Sequence, residues 1–130
     1  MSQVIIHSND NGGVSVTVPT GELSIKEVQI KDTPEGSIIV DDSTLPQGAD
    51  SSFFDAWELS GSTVTVNFEK AKTIKLAQFN AKAVEEAQKR QLNTLAGIAN
   101  AVSDADFTAS LTAGRTAIAS ATTTAELVAI

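Results

Sequence analysis

Apolar and polar residues alternate one for one in the first part of the chain and fall into a three-four rhythm in the second. That change divides the 130 residues into two unlike segments. Val14, Val16 and Val18 alternate with Ser15 and Thr17, the mark of a strand with one buried and one wetted face. This strand and Val4–Ser8 flank Asn9-Asp10-Asn11-Gly12-Gly13, whose residues take positive φ cheaply, so a hairpin is predicted. Pro19 can donate no ladder hydrogen bond and ends the strand. Ser24 and Glu27 have the spacing of a capping box, predicting a short helix to about Ile30 with Ile25 and Val28 turned inward. Pro34-Glu35-Gly36 then turns the chain into a third strand, Ser37–Val40. Beyond the polar stretch Asp41–Ser52, the segment from Trp57 to Phe68 reads as a second hairpin about Ser60-Gly61-Ser62. These pieces predict one small antiparallel or mixed β layer. Its core draws on Val4, Ile6, Val16, Ile39, Trp57, Leu59, Val64 and Val66.

From Glu69 to about Val102 there is no proline and a single glycine, Gly97. Ile74, Ala77, Ala81, Val84, Gln88, Gln91, Leu95, Ile98 and Val102 recur at alternating steps of three and four, a heptad seam with two polar layers at its middle. A continuous helix over this stretch would be roughly 50 Å long. The β layer is too small to cover it, so a partner helix is expected, from the chain's own tail or from another subunit. Gln88 and Gln91 allow two readings: buried, they fix register or oligomeric state; exposed, they mark where two shorter helices meet. Ser103, with Asp104 and Asp106 behind it, opens a further helix whose stripe is Phe107, Leu111, Gly114 and Ile118. Thr123 and Glu126 form another capping-box pair before the apolar end, where Leu127 and Ile130 suggest a docked terminus. The fold class expected is α+β: an acidic β-rich head over residues 1–68, then an Ala-rich helical arm over residues 69–130, made of a long helix and one or two shorter ones.

Composition limits the chemistry. Without cysteine there are no disulfides, thiolate metal sites or thiol nucleophiles. No apolar run reaches the ~18 residues of a membrane span. The opening residues lack the basic-then-apolar order of a signal peptide, so none is expected. The net charge of −7 argues against nonspecific binding to nucleic acid or anionic membranes. It is unevenly placed: residues 1–60 carry ten acids and two bases, and residues 61–130 six acids and seven bases. His7, the only histidine, is expected as a surface strand residue, with no G-x-S-x-G elbow elsewhere to make a triad of it. Asp10-Asn11-Gly12 echoes a calcium loop but lacks the spaced carboxylates and closing glutamate. Asp41, Asp42, Asp50 and Asp55 read as a solvated acidic loop. No catalytic residue, cofactor or metal ligand is implied. Lys70, Lys72, Lys75, Lys82, Lys89 and Arg90 read as a solvated helix face that an acidic partner could meet, with Glu86 and Arg90 as an i,i+4 pair.

Four segments resemble a group of small bacteriophage proteins encoded among virion and tail genes. They are Val4-Ile5-Ile6 with Asn11-Gly12-Gly13-Val14 and Pro19; Lys31-Asp32-Thr33-Pro34-Glu35-Gly36 leading to Ile39-Val40-Asp41-Asp42-Ser43-Thr44-Leu45-Pro46; Phe54-Asp55-Ala56-Trp57 with Val64-Thr65-Val66-Asn67 and Lys70-Ala71; and Ala117-Ile118, Ala121-Thr122 and Glu126-Leu127. The matched residues are turns, strand cores and caps, so no active site carries over. Ala81–Ala109 departs from the group, and the long helix rests on periodicity alone. The resemblance implies a non-enzymatic structural or adaptor protein of the phage particle, tail-associated, located in the virion or in host cytoplasm during assembly. Its alternatives are a tail-fibre assembly chaperone absent from the mature virion and a capsid decoration protein. Expected partners are other tail or virion proteins, in a homo-oligomer or hetero-assembly, with neither nucleic acid nor membrane. The residues expected to meet them are Ile74, Ala77, Ala81, Val84, Gln88, Gln91, Leu95, Ile98, Val102, Leu127 and Ile130.

Overall fold

A computed structural model describes residues 2–10 and 12–130; Asn11, part of the first expected turn, lies outside the described residues. The fold is α+β. Strands β1 (Gln3–Ser8) and β2 (Val14–Thr17) are followed by helix α1 (Ile25–Asp32), β3 (Ile38–Asp41), two 3₁₀ segments, β4 (Trp57–Ser60) and β5 (Thr63–Val66). Helices α2 (Phe68–Leu95), α3 (Asp104–Ser120) and α4 (Thr124–Val128) complete the chain. Two compact units result, one ending at Ala71 and one comprising Lys72–Ile130, so the division falls within the first turn of α2.

In the N-terminal unit the strands form two sheets where one was expected. The first has the order β2-β1-β3, antiparallel throughout, with Ile6 opposite both Val16 and Ile38. The second is the hairpin β4-β5, with Trp57 opposite Val66 and Leu59 opposite Val64. The two sheets pack together through one apolar face of each: Val4, Ile6 and Val14 with Trp57 and Val64, ringed by Val16, Ile38, Val40, Leu59 and Val66. Stacking buries both faces, whereas extending one sheet edge to edge would leave its apolar face in water. Ile39 sits outside this cluster. It pairs with Ile5 on the other face of β1 and β3, the strands against which α1 lies with Val28 buried.

Local signals in the sequence fix the ends of elements. Asn9 closes the first turn, its backbone N–H donating to the Gly13 carbonyl (3.0 Å) and its Oδ1 accepting from the Gly13 N–H (2.9 Å), with Gly12 at φ +78°. Ser24 caps α1 by accepting from the Glu27 N–H (3.3 Å), and Trp57 donates its indole N–H to the Asp50 carbonyl (3.1 Å). Asn67 starts α2: its Oδ1 accepts from the Lys70 N–H (3.1 Å), and its Nδ2 donates to Glu58 (3.3 Å).

Lys70 and Asn67 together hold the Glu58 carboxyl below its ordinary value of 4.5, the Lys70 ammonium at 3.1 Å being the larger cause. A depressed carboxyl pKa means that the folded state favours the ionised form. Its contribution is therefore present above the ordinary carboxylate range and is lost as pH falls through the folded value. A Glu58→Gln variant is expected to lose this dependence. Urea midpoints of wild type and variant, followed downward from pH 6, should converge below about 4.5. A wild-type advantage that persists unchanged to pH 2 would refute the assignment.

Candidate functional site

In the helical unit α2 and α3 form an antiparallel pair, as their contacts show by running in opposite order along the two helices. The Lys72 ammonium donates to the Ala119 carbonyl (2.8 Å), and the Arg115 Nε donates to Asn80 Oδ1 (3.1 Å). Phe79 packs on Gly114, and Arg90 pairs with Asp104 at 2.5 Å and lies 4.8 Å over the Phe107 ring. The stripe read from the sequence, Phe107, Leu111, Gly114 and Ile118, comprises the less exposed positions of α3, Ile118 being buried. The face of α2 turned to α3 is a different one from the expected seam. It runs through Lys72, Phe79, Ala83 and Arg90, of which Ala83 and Arg90 are buried.

The expected helix through Val102 is shorter, about 42 Å for the 28 residues of α2. Gly97, at φ +74°, ends it: the Ile98 N–H reaches back to the Asn93 carbonyl (2.8 Å) and the Gly97 N–H to that of Thr94 (3.2 Å). This is the Schellman arrangement, which a glycine adopts because it has no Cβ to oppose the left-handed turn. Ile98 and Val102 continue the three-four spacing but lie in the connection between α2 and α3. Asn100 braces that connection, its Oδ1 accepting from Asn93 Nδ2 (3.1 Å) and its Nδ2 donating to the Arg90 carbonyl (3.4 Å).

The remaining seam positions separate by burial. Ala77, Ala81, Val84, Gln88, Gln91 and Leu95 are exposed on α2, and Ile74 and Ile130 are half-buried. Gln88 and Gln91 mark no break, since α2 runs unbroken through them. Leu127 is a correction. At 0% exposure it is covered by its own chain, with Ile118 and Ala121 also buried, and it serves the core instead of a partner. Leu92 lies outside the expected seam because heptad spacing assigns it to a flank, yet it is 66% exposed beside Val84 at 58% and Leu95 at 78%. With α3 on one side of α2, these residues make the opposite side an apolar face in water.

The cationic cluster separates too. Lys70 goes to Glu58 and Lys72 to the Ala119 carbonyl. Arg90 pairs with Asp104 instead of Glu86; its side chain is 10% exposed, against 93% for that of Asp104. Lys75, Lys82 and Lys89 make no ion pair among the described residues and repeat every seven residues along α2. An open cleft of about 400 Å³ lies beside Arg90, lined also by Gln91, Leu95, Asp104 and Phe107.

The N-terminal unit holds the other residues with candidate chemistry. His7, expected at the surface, is half-buried on β1 opposite Ser15, and its Nδ1 meets no hydrogen-bond partner among the described residues. Asp41 accepts from the Ser43 N–H (3.0 Å), which lowers its pKa, and so caps the 3₁₀ turn after β3. Among the described residues no three histidines or carboxylates gather as metal ligands, and no helix is long and apolar enough to cross a membrane. Comparison with family models, curated proteins and solved structures gives no match for this chain.

Proposed function

We propose that the protein is a non-enzymatic structural or adaptor subunit of a bacteriophage particle, tail-associated, acting through protein–protein contacts made by the outward face of α2. The observation that carries this reading is the exposure of Val84, Leu92 and Leu95 on a helix whose opposite side α3 already occupies. An apolar face rimmed by polar residues is a usual mark of a protein-binding surface. The phage context rests on the resemblance carried by the strand, turn and cap residues.

Quantitative mass spectrometry of purified phage particles tests the proposal. A fixed copy number in proportion to the tail proteins is the expected result. Absence from particles, with co-purification alongside an immature fibre, would overturn it in favour of an assembly chaperone. A copy number that follows the capsid protein would overturn it in favour of a decoration role.

A further inference from the structure

Resting on the reading of this face as a protein-binding surface, we infer that its occupant is a second copy of the same chain, with two α2 helices packed antiparallel about a two-fold axis at Gln88. At 100° per residue, Ala81, Val84, Gln88, Leu92 and Leu95 share one side of α2, away from Phe79, Ala83 and Arg90, which face α3; Leu95, at the end of the helix, also reaches the rim of the open cleft beside Arg90. This set is matched about its own centre. Four residues to either side of Gln88 stand Val84 and Leu92; seven to either side stand Ala81 and Leu95. A two-fold axis there sets Val84 beside Leu92 of the other copy, and the small Ala81 beside the large Leu95. These are the alternating layers of an antiparallel helix pair.

Polar groups discriminate among possible occupants. Gln88 stands in the middle of the apolar set, and an apolar partner would bury its amide without hydrogen bonds, which is costly. A second Gln88 satisfies it, because one amide both donates and accepts. On one flank stand Glu85 and Lys89. Across the axis each Glu85 meets Lys89 of the other copy, and each Lys89 meets Glu85, so the charges complement twice. Net charge acts in the same sense. The unit ending at Ala71 has eleven acids against three bases, a net of −8, and copies repel one another there. Lys72–Ile130 has six bases and five acids, a net of +1, and can approach its like.

The chain has no cysteine, so single introduced thiols report cleanly. Sedimentation equilibrium of purified wild type should give twice the 13.5 kDa chain mass, falling toward the single-chain value on dilution. Gln88→Cys should form a covalent dimer on mild oxidation, whereas Ser110→Cys, exposed on α3, should not. An equal mixture of Ala81→Cys and Leu95→Cys chains should cross-link between the two variants in preference to either with itself. A mass that stays at one chain at all concentrations, or cross-linking of Ala81→Cys with itself, would overturn the inference. The two proposals fail separately. A monomer that nonetheless occurs in particles removes the self-pairing and leaves the virion role, whereas a dimer absent from particles does the reverse.

Discussion

Leu127→Ala lowers the stability of the isolated chain by about 2–5 kcal/mol, the cost of removing a fully buried leucine and leaving its space unfilled. Leu127 has no exposed surface and stands on α4, a helix of five residues. So short a helix does not persist in water on its own. Its Thr123 cap, which accepts from the Glu126 N–H (3.2 Å), contributes only about 1 kcal/mol, so α4 depends on the seating of Leu127. Leu95→Ala is the contrast. The same truncation at a residue 78% exposed should change stability of the single chain by no more than about 0.5 kcal/mol. Urea unfolding of both variants, at concentrations where the wild type is monomeric, separates the two positions. Equal effects would mean that Leu127 is not core, or that Leu95 is covered within its own chain.

A second large effect is expected at Gly114, where two physical terms act in opposite directions. Replacing a helix-interior glycine by alanine normally stabilises by roughly 0.5–1 kcal/mol, because glycine loses the most backbone freedom on folding. Here a Cβ would run into Phe79 Cζ and Cε2, well inside the ~3.5–4.0 Å at which carbon atoms rest. Either the ring leaves its place between the helices or α3 moves away from α2. Overpacking of this kind costs about 1–3 kcal/mol and should exceed the propensity gain. Gly114→Ala is therefore expected to lower the urea midpoint. Adding Phe79→Leu to that variant should recover part of the loss, whereas Phe79→Leu alone should destabilise. An alanine variant more stable than wild type would show that the helices are not in close contact at this point.

Features set by neighbours in the sequence were legible from it. The caps at Ser24, Ser103 and Thr123 each accept the N–H three residues on, because that geometry needs nothing beyond one turn of helix. The two hairpins and the inward stripe of α3 followed from alternation and from three-four spacing. What depends on packing between distant segments was harder to read. Ile38, Ile39 and Val40 are apolar on both faces of their strand, so alternation alone does not say that Ile38 and Val40 meet the second sheet while Ile39 turns away from it. Along α2 the apolar seam was the regular feature, and it proved to be the side in water. The side that packs on α3 carries Lys72, Ala83 and Arg90 beside Phe79, a mixture that no hydrophobic template selects. Arg90 is accommodated there because its charge reaches Asp104 at the water edge while its guanidinium lies over Phe107. Two signals were available to correct the reading. Gly97 followed by a polar, Asn-containing stretch marks a helix end whatever periodicity continues beyond it. Phe79 and Gly114, a large residue on one helix and none on the other, mark a close crossing.

The chain's outward helical face lends itself to one decisive comparison. Particles assembled in cells supplying wild-type protein can be set against particles assembled with a Leu92→Gln, Leu95→Gln chain, the copies per particle being counted by mass spectrometry. Both side chains stand in water in the single chain, so the variant should unfold at the wild-type urea midpoint under monomeric conditions and yet be missing from the particles. Incorporation at the wild-type copy number would contradict the account.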